Sequence, residues 1–470
     1  MANRTLPFTG RLLMIGCGSI GQGVLPLLFK HIALSPRQMT IIEADERGKK
    51  TAAQYKVKHI VCPITKKNYR HVLKKHLGPG DFLLNLSVDV SSMALIELCR
   101  ELDVLYLDTV AEPWKGYYTN PKLSVSQRSN YALREQVLAL RSKYADGPTA
   151  VSCQGANPGL VSSFIKKALL TIAKDTGVQV VVPQSRGEWA RLAQRLGIKV
   201  IHIAERDTQT SAKPKEVGEF VNTWSIDGFV SEGSQPAEMG WGTHEKQLPH
   251  DGKRHAFGCG AAIYLNRPGA TTRVRSWTPL EGPYHGFIIT HNESISTSDY
   301  FSVKKNGKIV YRPTAHYAYH PCDGAVLSVH ELAGKNGRQQ KRQRLIVKEI
   351  ISGVDELGVL LLGHKKNAYW YGSQLSIEET RRVITHNNAT SLQVAVAVLA
   401  GVMWAIENPM RGIVEAEDLD HDYVLRISKP YLGKVVGKYS NWTPLLDRGL
   451  LFPEDIDAKD PWQFKNFRVV

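Results

Sequence analysis

The chain has 470 residues, of which 43% are hydrophobic and 22% charged, the profile of a soluble globular protein with room for two or three domains. Six cysteines (17, 62, 99, 153, 259 and 322) form no CxxC pair, which excludes a zinc ribbon or disulfide framework and reads as reduced thiols in the cytoplasm. The net charge of +16 invites nucleic acid, yet the densest basic run, KNGRQQKRQRLIVK, holds no aromatic residue to stack on a base, so it reads as a solvated loop and no nucleic-acid partner is expected.

MANRTLPFTG leads into an apolar run too short for a signal peptide. Through residue 150, short apolar runs alternate with helical ones: RLLMIG, IGQGVLPLLFKH, MTIIE, ERGKKTAAQYKV, HIVCPI, NYRHVLKKHL, DFLLNLS, SSMALIELCRE and VLYLDTV. A long helix, SNYALREQVLALRSKY, and a strand, TAVSCQG, follow. This is the pattern of a doubly wound parallel sheet, an α/β fold of Rossmann type.

Beyond residue 154 the text turns to Pro, Gly, Trp and His, and GAAIYLN and RPTAHYAYHPC alternate like strands of an antiparallel or mixed sheet. Ser376 and Glu379 have the spacing of a capping box. SLQVAVAVLAGVMWAI is apolar all round but short of the roughly 20 residues that span a bilayer, so it is expected as a buried helix, with no membrane partner. The expected organisation is a Rossmann domain over 1–153, completed by about 388–428, a second α+β domain for substrate and dimerisation over 154–387, and a tail over 429–470 laid on the surface.

Gly16-Cys17-Gly18-Ser19-Ile20-Gly21 is a G-x-G-x-x-G between a strand and a helix, with Glu43 roughly 20 residues further on at the end of the second strand. Gly16 allows the tight turn, Gly18 lets backbone approach a pyrophosphate, and Gly21 lets the helix pack close. The helix N-terminus supplies N–H groups for phosphate. Glu43 is expected on the adenosine ribose, where its charge repels a 2′-phosphate, so NAD is favoured over NADP. Ligands of such sheets sit at the carboxyl ends of the strands. Asn85, Leu86, Ser87 and Asp89 fall there, as do Asp108, Thr109, Ala111 and Glu112, while Asn157 precedes the next helix. Asp89 and Glu112 point toward the substrate's way in, although each taken singly equally fits a helix cap or a loop ion pair.

VNTWSIDGFVSEG, residues 221–233, gathers Trp224, Asp227 and Glu232. A tryptophan in a strand is more often a core or interface residue than a ligand contact. His316 and His320 share a strand face, but no third metal ligand accompanies them, and no metal is expected.

The motifs GCGSIG, NLSVD, DTVAEPW, YALRE, GANPG, IHIAERDTQ, VNTWSIDGFVSEG, EMGWGT, THNES, PTAHYAYHPC, GVDELGVLL, KNAYWYGSQLSIEETR and FPEDIDAKDPWQF, in this order over nearly the whole chain, closely resemble the bacterial homospermidine synthase family. That family is related to saccharopine dehydrogenases and carboxynorspermidine synthases. The resemblance implies a homodimeric transferase that makes sym-homospermidine from two putrescines, releasing ammonia, or from spermidine and putrescine, releasing 1,3-diaminopropane. It implies imine intermediates and NAD kept as a bound prosthetic group. It places Asp89, Glu112, Asn157, Glu205, Trp224, Glu232, His291 and Asp355 in the pocket. Trp224, Glu232, His291 and Glu205 take the chemical roles. Trp224 offers a π face to a cation, Glu205, Glu232 and Asp355 offer carboxylates to ammonium groups, and His291 is a candidate proton shuttle. The competing expectation is a saccharopine-type or carboxynorspermidine-type oxidoreductase with net NAD(P)H turnover; the saccharopine type needs Arg or Lys for an α-carboxylate.

Overall fold

Leu12–Ile15, Phe82–Asn85 and Leu105–Asp108 are buried at every position, as strands covered on both faces must be. In the computed structural model, which describes residues 5–470, they form the middle of a seven-stranded sheet. Its order is Ile413–Glu415, Ala150–Ser152, Leu105–Asp108, Phe82–Asn85, Leu12–Ile15, Met39–Glu43, Lys58–Val61, with every pairing parallel. The chain builds outward on one side of Leu12–Ile15 and then on the other, so the order reverses there, the doubly wound Rossmann arrangement. This sheet belongs to a unit made, among the described residues, of 5–128, 132–160 and 380–431. The helix Ala389–Glu407 is buried along nearly its whole length and packs against Ser19–His31. Among the described residues it is the one helix long and apolar enough to cross a membrane, and its burial marks it as a core helix.

The other unit comprises residues 129–131, 161–379 and 432–470 and is built on an eleven-stranded mixed sheet. Thr314–His320 runs parallel to Val200–Asp207, which pairs antiparallel with Val354–His364. The hairpin partner Asn367–Ser376 follows. Tyr319 lies opposite Glu205, Leu357 opposite Glu205, and Asp355 opposite Asp207. Because side chains alternate along a strand, Glu205, Asp207, Tyr317, Tyr319 and Asp355 share one face of the sheet. His202, Arg206, His316 and His320 share the other. On that second face the His316 ring lies 4.1 Å from His202 and 5.8 Å from Phe464, and burial pushes its pKa down to about 4. His316 is a neutral core histidine.

The tail expected over 429–470 is instead part of this unit's framework from Leu432 onward. Lys434–Ser440 pairs with Asn367–Ser376, and Arg468–Val469 pairs with Arg273 and Val274. Trp442, Phe464 and Phe467 enter the core with Leu360, Leu362 and Trp370. Three anchors spread among Pro, Asp and Lys give no period of 2 or 3.6, so the segment reads as irregular. Phe467→Ala should cost about 3–5 kcal/mol of stability, measured by denaturant unfolding; a loss below about 0.5 kcal/mol, the surface value, would show that the segment merely covers the unit.

Candidate functional site

The turn between Leu12–Ile15 and Ser19–His31 is shaped by its glycines. Gly16 has φ +90°, and a Cβ there would lie 2.7 Å from the Leu86 carbonyl and 2.9 Å from the Ser87 nitrogen. At Gly21 a Cβ would meet the Gly16 oxygen at 2.7 Å, whereas at Gly18 nothing stands within 4 Å. Gly18 is also the N-cap of the helix, and no side chain caps it. The first turn, Ser19 and Ile20 included, therefore offers backbone N–H groups beside an open space, the form of a phosphate cradle. Ser19 Oγ lies 2.7 Å from Ser391 Oγ, contributed by the long core helix.

Glu43, at the end of its strand, accepts hydrogen bonds from the backbone N–H groups of Cys17 and Ala44. Each carboxylate oxygen keeps a lone pair for a further donor, so a ribose hydroxyl fits without breaking the tie. Ser87 donates to Asn85 Oδ1 at 2.6 Å, and Leu86 N–H holds the Ile15 carbonyl at 2.8 Å, which fixes this loop beside Gly16. Asp108 departs from expectation. Its carboxylate accepts from Cys153 N–H at 2.7 Å and from the Tyr106 hydroxyl at 2.8 Å, and burial lifts its pKa to about 6. It is turned into the fold because Tyr106 and Cys153 are buried polar groups that need a partner. Ala111 likewise packs its methyl in the core, while Thr109 is partly exposed beside Gly155. Asp89, exposed at φ +62°, donates its N–H to Glu112 at 3.4 Å, so these two carboxylate residues do meet. Asn157 begins a cis peptide bond with Pro158.

In the second unit, the strand Glu219–Asn222 stops before Trp224, which sits in the turn leading to the helix Ile226–Ser234 capped by Ser225. The expected strand position is thus replaced by a turn. Trp224 donates its indole N–H to the Tyr319 hydroxyl at 2.9 Å and meets Phe229 edge-on at 5.3 Å. The Tyr319 ring stacks on Tyr317 at 5.1 Å, the Tyr317 hydroxyl donates to Glu205, and Tyr317 lies 4.3 Å from the His291 ring. His291 in turn bridges Glu232 (Nε2, 3.1 Å) and Glu293 (Nδ1, 3.1 Å). Trp224, Glu205, Glu232 and His291 are therefore joined through two tyrosines. Asp207 and Asp355 add charge near Tyr319, whose hydroxyl is pushed well up by burial and then by Glu205, Asp207 and Asp355. Asp227 stands apart on the exposed side, accepting from Gln343 at 2.7 Å.

Burial opposes charge on His291, but Glu293 and Glu232 outweigh it and raise its pKa to about 10. It is an imidazolium at neutral pH, not a ready base. The raised value means its stabilising pairing is complete below the ordinary histidine range and lost as pH rises through about 10. Glu232 and Glu293 thus face one resident cation, and Glu205, Asp207 and Asp355 surround the neighbouring Tyr319. Their oxygens accept only, a set that suits a donor-only ammonium.

Tyr317, Tyr319, Asp207 and Glu293 escaped the sequence reading. The signal was present in parity: PTAHYAYHP puts the two tyrosines on the face opposite its histidines, and AERD gives Asp207 the parity of Glu205.

Residues 12–151 match the model of the saccharopine dehydrogenase NADP binding domain, and residues 155–439 that of the saccharopine dehydrogenase C-terminal domain. A homospermidine synthase of Blastochloris viridis is 57% identical over 464 residues, covering 98% of this chain and 97% of the relative. One of Mesorhizobium japonicum is 50% identical over 480 residues, covering 100% and 99%. The crystal structure of the homospermidine synthase of Legionella pneumophila in complex with NAD superposes with a TM-score of 0.93 at 50% identity, covering 99% of both chains.

Proposed function

The chain belongs to the homospermidine synthase family, and from that premise we propose an aminobutyl transfer in which two putrescines, or spermidine and putrescine, yield sym-homospermidine. The observation that carries this reading is an acidic and aromatic set in which Glu205, Asp207, Asp355, Tyr317 and Tyr319 are buried and Glu232 and Trp224 half-buried. A diamine brings positive charge at both ends. In a chain of net charge +16, it needs local anions to enter.

The glycine turn, the open space at Gly18 and the acceptor Glu43 fit NAD; a carboxylate at that place disfavours the 2′-phosphate of NADP. Gly16, Gly18, Ser19, Ile20 and Gly21 would hold the pyrophosphate, Glu43 the ribose, and Asn85, Leu86, Ser87 and Thr109 would border the nicotinamide half. A dinucleotide held there would supply reversible hydride transfer at the amine-bearing carbon, so the overall reaction would be redox-neutral. The chain's own residues do the rest. Glu232 and Glu205 pair with ammonium groups by charge-assisted hydrogen bonds, Asp355 adds negative charge, and Trp224 presents a π face to the positive charge that develops at the reacting carbon. Asp89, Glu112 and Asn157, on the first unit, are assigned to the substrate by the family resemblance alone.

A dehydrogenase acting on an amino acid would need a cation for the α-carboxylate, and Arg206 points to the opposite sheet face, where it reaches Glu281 and Asp323. The reading carries with it a cytoplasmic homodimer that acts away from membrane and nucleic acid; a monomer mass by light scattering would contradict the dimer.

Purified protein given putrescine and catalytic NAD+ should form homospermidine and ammonia with no accumulation of NADH. Stoichiometric NADH without a new polyamine would mean an ordinary amine dehydrogenase. Glu232→Gln should lower kcat/KM for putrescine about 10- to 100-fold, the worth of a charge-assisted bond, and leave NAD affinity unchanged by fluorescence titration. A matching loss of NAD affinity would remove Glu232 from the substrate role.

A further inference from the structure

His291 and Glu293 carry an arrangement that the proposed reaction needs. Putrescine arrives as an ammonium, and its carbon cannot release hydride until the nitrogen has shed a proton. His291 is the N-cap of the buried helix Asn292–Tyr300. Its Nδ1 lies 3.1 Å from Glu293 Oε1 and its Nε2 3.1 Å from Glu232 Oε2. Glu293 is fully buried, and among the described residues its second oxygen has no hydrogen-bond partner, so there His291 supplies the one hydrogen bond its carboxylate receives. Glu232 keeps a fifth of its side chain exposed and is the solvent-facing partner of the three. The groups facing the imidazole are Glu293 from its own helix, Glu232 from Ile226–Ser234, and Tyr317 from Thr314–His320, the last having given its proton to a bond with Glu205.

We propose that Glu293 is a positioning residue that fixes the Nδ1–H tautomer of His291, and that an ammonium arriving at Glu232 displaces the Nε2 proton, leaving His291 as the amine's proton acceptor. The inference rests on the reading above that Glu232 binds an ammonium. Once a substrate ammonium reaches Glu232, two cations compete for one carboxylate. An alkylammonium ordinarily holds its proton to about pH 10.4, whereas His291, with Glu232 taken, keeps only Glu293 against burial, so the imidazolium yields first. Its Nε2–H bond breaks and the proton leaves past Glu232 to solvent. The Nε2 lone pair then faces the ammonium; one N–H bond of the ammonium breaks, the electron pair stays on the amine nitrogen, and the proton joins Nε2. No oxidation accompanies this step. Before substrate arrives the two carboxylates hold His291 charged, up to about pH 10, so the proton is stored until it is displaced. A carboxylate on the remote imidazole nitrogen is the orienting device that histidine bases generally require.

Calorimetry of putrescine binding to the NADH-loaded protein, in which no hydride can leave the amine, counts released protons when run at pH 8 in two buffers of different ionisation enthalpy. Wild type should release about one proton. Glu293→Gln should release less than about 0.3, lower kcat about 100-fold and leave KM within about 3-fold, and Glu293→Asp should recover part of both. Putrescine binding to wild type without proton release overturns the inference while leaving the amine pocket standing, and that count decides even if the Gln variant does not fold. Equal proton release by wild type and Glu293→Gln also overturns it, giving Glu293 a purely structural place. No detectable putrescine binding overturns the pocket reading together with this one.

Discussion

Trp224→Ala should lower kcat/KM for putrescine by about 100-fold, with Trp224→Phe retaining about a tenth of wild-type activity. A desolvated cation over an aromatic face gains about 2 kcal/mol, and more as charge develops on the carbon. Part of the loss comes from the partner: without the indole N–H, the buried Tyr319 hydroxyl loses its donor at 2.9 Å. Phenylalanine keeps a π face but not that bond, which is why it falls between. Steady-state kinetics on the three proteins checks the order, and wild-type activity in the Ala variant would end the cation role of Trp224.

Two glycines of one turn should fail in different ways. Gly16→Ala places a methyl 2.7 Å from the Leu86 backbone at φ +90°, and neither neighbour can give. Strain of this kind costs about 1–3 kcal/mol for the dihedral alone, so the variant should melt earlier and lose NAD. Gly18→Ala meets nothing within 4 Å. It should melt with wild type yet bind NAD about 100-fold more weakly, because its methyl occupies space that a pyrophosphate needs. Thermal melts with and without NAD separate the two cases. A Gly18→Ala protein with wild-type NAD affinity would move the phosphates away from this turn.

The parallel sheet was legible because its central strands are apolar and buried throughout and helical stretches separate them, so a change of period marks most boundaries. Ser376 and Glu379 exchange their two reciprocal bonds, at 3.2 and 3.1 Å, as their spacing foretold. The sequence was least informative where function sits on alternation. Trp224 looked like a strand residue because it lies just beyond Phe220 and Val221, yet Ser225 captures the Gly228 N–H and starts a helix one residue later. Asp108 looked like a loop acid at a strand end. Its inward turn depends on Tyr106 and Cys153, one of them 45 residues away, and no local pattern carries that information. Glu293 was hidden for a related reason: in THNES it reads as a polar helix start, and only the burial of the whole helix shows that its charge needs His291.

The first unit draws on three separate stretches of the chain, the last being residues 380–431. Its seventh strand, Ile413–Glu415, pairs with Ala150–Ser152, and its core helix comes from the same late stretch. During synthesis the ribosome must therefore deliver the strands of the other unit before the first sheet can close. At about 5–20 residues per second, the glycine turn is out of the exit tunnel many seconds before the serine of the core helix that will face it. A fragment ending near residue 160 would expose the apolar seat of that helix and should collect chaperones or precipitate when expressed without residues 380–431.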